Sequence, residues 1–259
     1  MKCFLYNKVK RWLLMLVACW GLSQQVAAQV GEYRTDFAVG GNVGYNFSSV
    51  NLLPKVPQGM LQGMTGGLTI RYNCEKYFNS ICAIVAELNY SQLGWKEDQL
   101  TENDEPVINY ETGVSEQYSR KISYIQLPIF ARMGWGRERR GFQFYFQVGP
   151  QLGYYLNEST EANFDIEKPN LMERVSPVVK QYEMPVENKL DYGIAGGLGL
   201  EFSNRHIGHF LLEGRYYYGL GNLYGNSKRD YFAISNFQVI TVKLSYLFDI
   251  VRTKNPKIK

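Results

Sequence analysis

The stretch FLLEGRYYYGLGNL, residues 210–223, decides the fold because it places two charges inside a run of apolar and aromatic side chains. Glu213 and Arg215 are two residues apart, so in an extended strand they point to the same side. Leu212 and Tyr216 point to the other side. Such a strand must have different surroundings on its two faces, because a buried charge needs partners and an exposed aromatic face needs cover.

The rest of the chain repeats this pattern. The sequence has 259 residues with 20 Tyr, 14 Phe and 25 Gly, a composition typical of strands and turns. Beyond residue 28 no run of 18 apolar residues occurs, so the sequence predicts no membrane helix. Apolar residues instead alternate with polar or small ones, the period of β-strands. Eight such segments are present, at residues 36–48, 64–72, 81–95, 120–135, 141–156, 190–202, 210–223 and 237–248.

The connections between these segments alternate strictly between long and short. The long ones cover residues 49–62, 96–118, 157–189 and 222–236, and the short ones cover 73–80, 135–141 and 203–208. Antiparallel strands put odd and even connections at opposite ends, so all long loops share one end. Bacterial outer-membrane barrels have this arrangement, with short periplasmic turns and long outside loops.

The two faces of the strands indicate which side is inside. One face is apolar on every segment, and Tyr, Phe and Trp stand near its ends, as at Trp95 and Trp135. Since only helices and closed barrels satisfy their backbone in lipid, the sequence predicts an eight-stranded antiparallel up-and-down transmembrane β-barrel with a polar interior. Pro128 and Pro150 fall within strands, where we expect bulges or kinks.

The polar face supplies the candidate site. An eight-stranded barrel is just wide enough for its own side chains, so we predict that the inward charges form a packed ion-pair and hydrogen-bond network. A narrow conducting path is the alternative. The predicted lumenal residues are Arg71, Glu87, Arg132, Asp191, Glu201, Glu213, Arg215 and Lys243.

The first 28 residues have the features of a secretory signal peptide: basic residues, a short apolar run, and small residues before a cut after Ala28. LVAC, residues 16–19, also fits a lipoprotein box with Cys19 as the acylated residue. The barrel is predicted over residues 29–249 and a basic periplasmic tail over residues 250–259. The chain carries 28 basic and 24 acidic residues, and the four basic residues of the signal account for the difference. The mature chain is therefore neutral, and its charge does not point to nucleic acid.

Cysteine and histidine usage limits the chemistry. Cys74 and Cys82 are separated by seven residues, and in an oxidising compartment they are predicted to form a disulfide across a hairpin; two unpaired apolar cysteines are the alternative. Neither Cys nor His occurs at zinc-ligand spacing, so no metal and no cofactor are predicted. His206 and His209 lie in NRHIGH, predicted to be a short turn, so no histidine is available as a general base in a long loop and no enzyme is predicted.

Two long loops carry further hypotheses. The loop that follows Trp95 is acidic, which is typical of a solvated surface loop; Ca²⁺ bridging to lipopolysaccharide phosphates is the alternative. Its acidic residues are Glu97, Asp98, Glu102, Asp104, Glu105 and Glu111. The loop at 157–189 is long enough to fold over the barrel mouth or to bind a partner.

The sequence resembles the PorT-like outer-membrane β-barrel proteins of Gram-negative bacteria over nearly the whole mature chain. The resemblance rests on YIQLPIFARM (124–133), FQVGPQLGYYL (146–156), YGIAGGLGLEF (192–202), EGRYYYGLGNL (213–223) and VKLSYLF (242–248). It implies an outer-membrane location and a link to type IX protein secretion, with secretion proteins as partners. Outer-membrane lipid, lipopolysaccharide and the barrel-assembly machinery are further expected partners. A structural or permeability-related barrel, in adhesion, membrane integrity or as a narrow channel, is the alternative.

Overall fold

The computed structural model describes residues 36–77, 80–103, 105–109, 113–136, 140–166, 174–204, 207–225 and 230–252. These residues form eight strands and one short helix, α1 (Lys180–Glu183). The strands are β1 (Asp36–Leu53), β2 (Gly59–Tyr77), β3 (Ser80–Asp98), β4 (Gln117–Gly136), β5 (Arg140–Ala162), β6 (Leu190–Asn204), β7 (Gly208–Gly219) and β8 (Ile234–Arg252). Among these residues no helix is long and apolar enough to cross a membrane.

The eight strands form a closed antiparallel barrel in sequence order. β1 closes the ring by pairing with β8, from Asp36↔Arg252 to Leu53↔Ile234. The connections at one end span 78–79, 137–139 and 205–207, and those at the other span 54–58, 99–116, 163–189 and 220–233. The predicted alternation of short and long connections is confirmed, and the long loops share the outside end.

Alternation along each strand separates a lipid-facing belt from the interior. Leu212 and Tyr216 are 49% and 46% exposed, whereas Glu213 and Arg215 are buried inside the barrel. The same division holds around the ring. The lipid-facing side chains include Leu68, Ile84, Leu127, Phe144, Leu198 and Leu244.

The strands are longer than a membrane requires. They have 12 to 23 residues, whereas a tilted strand crosses the hydrocarbon in about 9–11. On β3 the apolar outward side chains end at Tyr90, and Gln92, Gly94 and Lys96 follow on the same face. The outer part of β3 therefore stands beyond the hydrocarbon. Trp95 belongs to this part and is fully buried inside the barrel, so the prediction that it joins the lipid-facing aromatic ring is wrong; Trp135, which is 39% exposed, does face outward.

The two prolines do not shift the register. The β3–β4 ladder has one offset on both sides of Pro128, and the β4–β5 ladder has one offset on both sides of Pro150. The only shift between β4 and β5 lies at Ser123/Tyr124. No bulge accompanies either proline, because each one interrupts the ladder on one side only: Pro128 lacks a partner on β3 but pairs with Gln151, and Pro150 lacks a partner on β4 but pairs with Ile194.

The barrel extends slightly beyond its predicted C-terminal boundary. β8 continues to Arg252, so the predicted tail begins as strand, and residues 253–259 lie outside the described part of the chain. The signal peptide, residues 1–28, also lies outside it. Cys74 and Cys82 are free thiols here; Cys74 is the extra residue of a bulge between Asn73 and Glu75, and Cys82 pairs with Glu75. The disulfide is not formed in this structure and stays a prediction for the exported protein.

Candidate functional site

The end of the interior near the short turns holds a charge cluster around Glu201. Its carboxylate accepts from Arg71 at 2.7 Å and also from Arg132. His209 contacts the same carboxylate at 2.7 Å through Nδ1, and its Nε2 is 3.1 Å from Asp249. These groups come from β2, β4, β6, β7 and β8, so five strands are joined through one buried network.

A second cluster lies further into the barrel and contains two carboxylates and two cations. Arg215 donates to both oxygens of Glu87 at 3.1 Å and also to Glu213. Lys243 donates to Glu87 at 2.6 Å and lies 3.3 Å from Glu213. Two carboxylates balance two cations within the cluster, and each charge has an opposite charge beside it. Such mutual pairing is what makes buried ions tolerable.

The side chain of Tyr145 lies between the two clusters. The Tyr145 hydroxyl donates to Glu213 at 3.0 Å, and the Arg132 guanidinium lies 3.6 Å from the centre of the Tyr145 ring. Gly199 makes room for that ring, because a Cβ at position 199 would lie 2.3 Å from Tyr145 Cζ. Tyr145 therefore links the clusters at a place where β6 carries no side chain.

Above the charges lies a neutral polar layer. Asn42 donates to Thr69 and to Asn89, both at 2.8 Å, and Asn89 donates to Glu87 at 2.8 Å. A void of about 10 Å³ remains in this layer beside Arg215, and a void of about 10–15 Å³ holds one water molecule. At membrane level the described side chains thus fill the interior around this small void.

The outside end of the interior is apolar and is covered by part of the loop before β6. We call residues 174–188 the plug segment. The buried side chains beneath it include Val50, Leu93, Trp95, Ile122, Tyr124 and Phe237, and Val178, Tyr182, Met184 and Val186 of the plug segment pack against them. The prediction that loop 157–189 folds over the barrel mouth agrees with this placement.

Arg120 fixes the plug segment to the wall. It donates to the carbonyl oxygens of Gln181 and Met184 at 3.0 and 2.7 Å, and it pairs with Glu158 at 2.7 Å. A second attachment joins Arg174 to Glu116 at 2.7 Å. Both arginines replace the water that would otherwise solvate these backbone and carboxylate oxygens.

Glu97 is a buried carboxylate at the contact between wall and plug segment. It accepts from Trp95 Nε1 at 2.8 Å, from Gln181 at 3.1 Å and from the Tyr182 hydroxyl at 3.0 Å, all neutral groups. Burial raises the pKa of Glu97 above its ordinary value, although these hydrogen bonds oppose the shift. Burial and the nearby Glu97 charge likewise raise the pKa of Tyr182.

Seven of the eight predicted lumenal residues join the two clusters, and one does not. Asp191 takes no part in either cluster and accepts a hydrogen bond from Tyr217 at 2.6 Å nearer the outside end. His209 was predicted in a turn but is the second residue of β7, buried and part of the Glu201 cluster. The signal in the sequence is that His209 lies two residues before Leu211, which puts both side chains on the same face of an extended strand. His206 lies outside the described residues.

Ser203, His209 and Asp249 superficially resemble a catalytic triad. The Ser203 hydroxyl is 2.9 Å from His209 Nδ1, and His209 Nε2 is 3.1 Å from Asp249. However, Ser203 is 1% exposed, and its hydroxyl also donates to Glu201 at 3.0 Å. A substrate carbonyl cannot reach the hydroxyl, and a carboxylate beside it would oppose an oxyanion. The three side chains are better explained as part of the packed interior.

The acidic loop is structured where it is described. Backbone bonds from Gln99 to Glu116 and from Val107 to Gln99 continue the β3–β4 hairpin beyond the barrel. Glu97 is buried rather than solvated, and Asp98 pairs with Lys96 at 3.1 Å. In the described part of the chain, no group of three His, Cys, Asp or Glu residues is placed to hold a metal ion. Asp104 and Glu111 lie outside that part.

The closed barrel agrees with the family that the sequence matches. The sequence matches the model of the outer membrane protein beta-barrel domain over residues 23–225, so the chain belongs to that family. Its place is the bacterial outer membrane, with the long loops outside. The match is to this broad family, not to its PorT-like members.

Several solved structures are distantly similar. The attachment invasion locus protein Ail of Yersinia pestis, in complex with the heparin analogue sucrose octasulfate, is 14% identical, with 82% of this chain and 99% of that chain covered and a TM-score of 0.33. Neisserial surface protein A is 10% identical, with 85% and 100% covered and a TM-score of 0.40. OprG of Pseudomonas aeruginosa is 13% identical, with 84% and 98% covered and a TM-score of 0.38. No conclusion rests on such distant similarity. A search of curated proteins finds no match.

Proposed function

We propose that this protein is a non-enzymatic, non-conducting barrel whose outside rim contacts other molecules, in adhesion or surface attachment. The observation that supports this proposal is the filled interior. Two charge clusters, a neutral polar layer and an apolar layer under the plug segment follow one another along the lumen. A barrel without a pathway has only its two rims with which to act, and the loops at the outside rim are by far the longer.

The proposed lack of catalysis rests on accessibility. Ser203, His209 and Asp249 have a triad-like arrangement, but the Ser203 hydroxyl is buried away from solvent. We expect cells that express the Ser203→Ala variant to adhere as well as cells that express the unmodified protein, because Ser203 serves in packing only.

Two assays test the proposal together. The purified full-length protein in planar lipid bilayers should show no conductance above the lipid baseline. Cells that express it should gain adherence to host-cell or extracellular-matrix coatings relative to cells that express the same barrel with residues 99–116 replaced by a short Gly-Ser linker. Stable single-channel steps, or equal adherence of both strains, would refute it.

A second proposal follows from the PorT-like resemblance: a role as an accessory of protein secretion. It is supported by the quoted motifs and by the signal peptide that the sequence predicts. Deletion of the gene followed by quantification of secreted proteins tests it, and unchanged secretion would rule it out. We further propose export by cleavage after Ala28, insertion by the barrel-assembly machinery, and lipopolysaccharide as the surrounding lipid. Mass spectrometry of the mature N-terminus distinguishes this cut from acylation at Cys19.

A further inference from the structure

The barrel wall has a notch at its outside rim, between β1 and β2. The β1–β2 ladder reaches only Ser48↔Leu61, whereas β1 remains paired with β8 up to Leu53↔Ile234. Residues 49–53 of β1 are therefore extended but paired on one side. Five extended residues give an open edge of about 17 Å at about 3.4 Å per residue.

Hydrogen-bonding groups face this notch. The Val50 backbone N–H donates to the side-chain oxygen Oε1 of Gln58 at 3.3 Å, so it points away from β8. Alternation along an antiparallel strand directs the backbone groups of Leu52 the same way. Gln58 Nε2 is buried and has no hydrogen-bond partner among the described residues. A buried amide donor without a partner is uncommon, and it suits an incoming carbonyl or carboxylate oxygen.

The notch opens into a cleft large enough for a ligand. Its volume is about 640 Å³, and it lies between the β1 edge, the β1–β2 connection and the start of the plug segment. Pocket volumes of about 300–1,000 Å³ are usual for binding sites. The wall opposite β1 is mainly apolar and is formed by Val56, Pro57, Val175, Pro177 and Val178. Lys55 is the one charged residue among the described residues of the lining, so the cleft favours an anionic ligand.

We infer that the notch binds an extended, acidic polypeptide segment of a protein outside the cell, which adds to the β1 edge as a further strand. Backbone groups of the segment would take over the bond that Gln58 now makes to Val50, and Gln58 Nε2 would gain an acceptor. Apolar side chains of the segment would face Val175 to Val178, and an acidic one would lie beside Lys55. This mode is known as β-strand addition, in which main-chain bonds supply affinity and side-chain pockets supply specificity.

The residues that follow the β1 edge indicate a binding site and not a defect of the fold. Exposed strand edges invite aggregation, and proteins protect them with prolines, lysines and covering side chains. Pro54, Lys55, Pro57 and Gln58 follow the β1 edge directly. They keep a second barrel from pairing broadly along the edge, while a single narrow strand can still enter the cleft.

A peptide array tests the inference, which rests on the proposed contact role of the outside rim. The full-length barrel in lipid nanodiscs is passed over immobilised nine-residue peptides with varied flanks and Glu, Gln or Lys at the centre. Glu peptides should retain about fivefold more barrel than Lys peptides, the size of one partly exposed ion pair. The variant Lys55→Glu should reverse that order, Gln58→Leu should lower retention of all peptides, and N-methylation of alternate peptide nitrogens should abolish it.

Lys189→Glu is the matched control, because Lys189 is exposed at the same end and does not line the cleft. It should retain peptides like the unmodified protein, and heat-modifiability on gels confirms that each variant is folded. Equal retention of the three peptide classes, or retention that Lys55→Glu and N-methylation leave unchanged, would overturn the inference. Retention on a parallel glycan array alone, lost in Lys55→Glu, would overturn it in favour of a sugar. Adherence of cells that persists in Lys55→Glu would then show that the proposed function stands without this site.

Discussion

At the scale of single residues, truncation of Arg215 should lower the stability of the barrel. It pairs with Glu87 and Glu213, and its guanidinium lies 4.3 Å from the centre of the Phe130 ring. Arg215→Ala leaves two buried carboxylates with Lys243 alone, and breaking a buried ion pair costs about 3–5 kcal/mol. We expect a clear drop in the temperature at which the barrel loses its compact form in heat-modifiability gels.

The control for Arg215 is Lys96→Ala, which removes an exposed pair with Asp98. Exposed pairs contribute about 0–1 kcal/mol, so that transition should barely move. A second control removes opposite charges together: Glu213→Ala with Arg215→Ala keeps Glu87 beside Lys243 and should recover part of the loss. A transition temperature for Arg215→Ala equal to that of Lys96→Ala would mean that the cluster does not stabilise the barrel.

Two glycines on neighbouring strands should respond oppositely to the same substitution. A Cβ at Gly199 would lie 2.3 Å from Tyr145 Cζ, whereas a Cβ at Gly214 meets nothing within 4 Å on the lipid face. Gly199→Ala should therefore cost about 1–3 kcal/mol by overpacking, and Gly214→Ala should be neutral or slightly stabilising. Urea titrations of both variants in detergent micelles measure the difference. Equal free energies of unfolding would contradict the assigned inward and outward faces.

At the scale of elements, the contact between β3 and the plug segment should depend on pH. The pKa of Glu97 is raised in the folded protein, so the protonated form is favoured there. Its contribution is fully present below the ordinary pKa near 4.5 and is lost as pH rises through the raised folded value. The groups that hydrogen-bond to it are Trp95, Gln99, Gln181 and Tyr182, and Arg120, Arg174, Tyr118 and Tyr224 lie nearby. The carboxylates of Glu116 and Glu158 pair with Arg174 and Arg120, so the contribution of Glu97 is isolated by comparison with Glu97→Gln, which leaves those pairs in place.

We expect proteolysis within residues 174–188 to become faster from pH 4 to pH 8, as measured by mass spectrometry of thermolysin fragments. Dividing by the rate of Glu97→Gln at each pH removes the pH dependence of the protease itself. Asp98→Asn, an exposed carboxylate beside Glu97, should keep the full trend. A flat ratio for the unmodified protein would show that Glu97 does not hold the plug segment.

The same elements show how much of the structure can be predicted from the sequence. Alternation predicted the barrel, the order of long and short connections, and the inward face of all eight charged residues, because a period of two fixes which side a residue faces. The prediction for Trp95 was wrong because it followed residue type rather than position: Trp95 lies an even number of residues from Glu87, so alternation turns it inward, and an aromatic residue near a strand end joins the lipid-facing ring only when it points outward. Nor could it pair Glu201 with Arg71, 130 residues away: the stagger between strands that brings them level depends on how the ring closes.

At the scale of the whole molecule, the interior is sealed twice, and the two seals should act independently. The plug segment covers the apolar layer outside the membrane, and the charge clusters fill the lumen within it. Glu97→Ala combined with Arg120→Ala removes the main polar attachments of the plug segment and leaves both clusters untouched. Thermolysin should then cleave the plug segment severalfold faster, while planar-bilayer conductance should stay at the lipid baseline. Conductance that rises together with cleavage would mean that the plug segment alone closes the barrel, and that the clusters at membrane level leave a path through which ions pass.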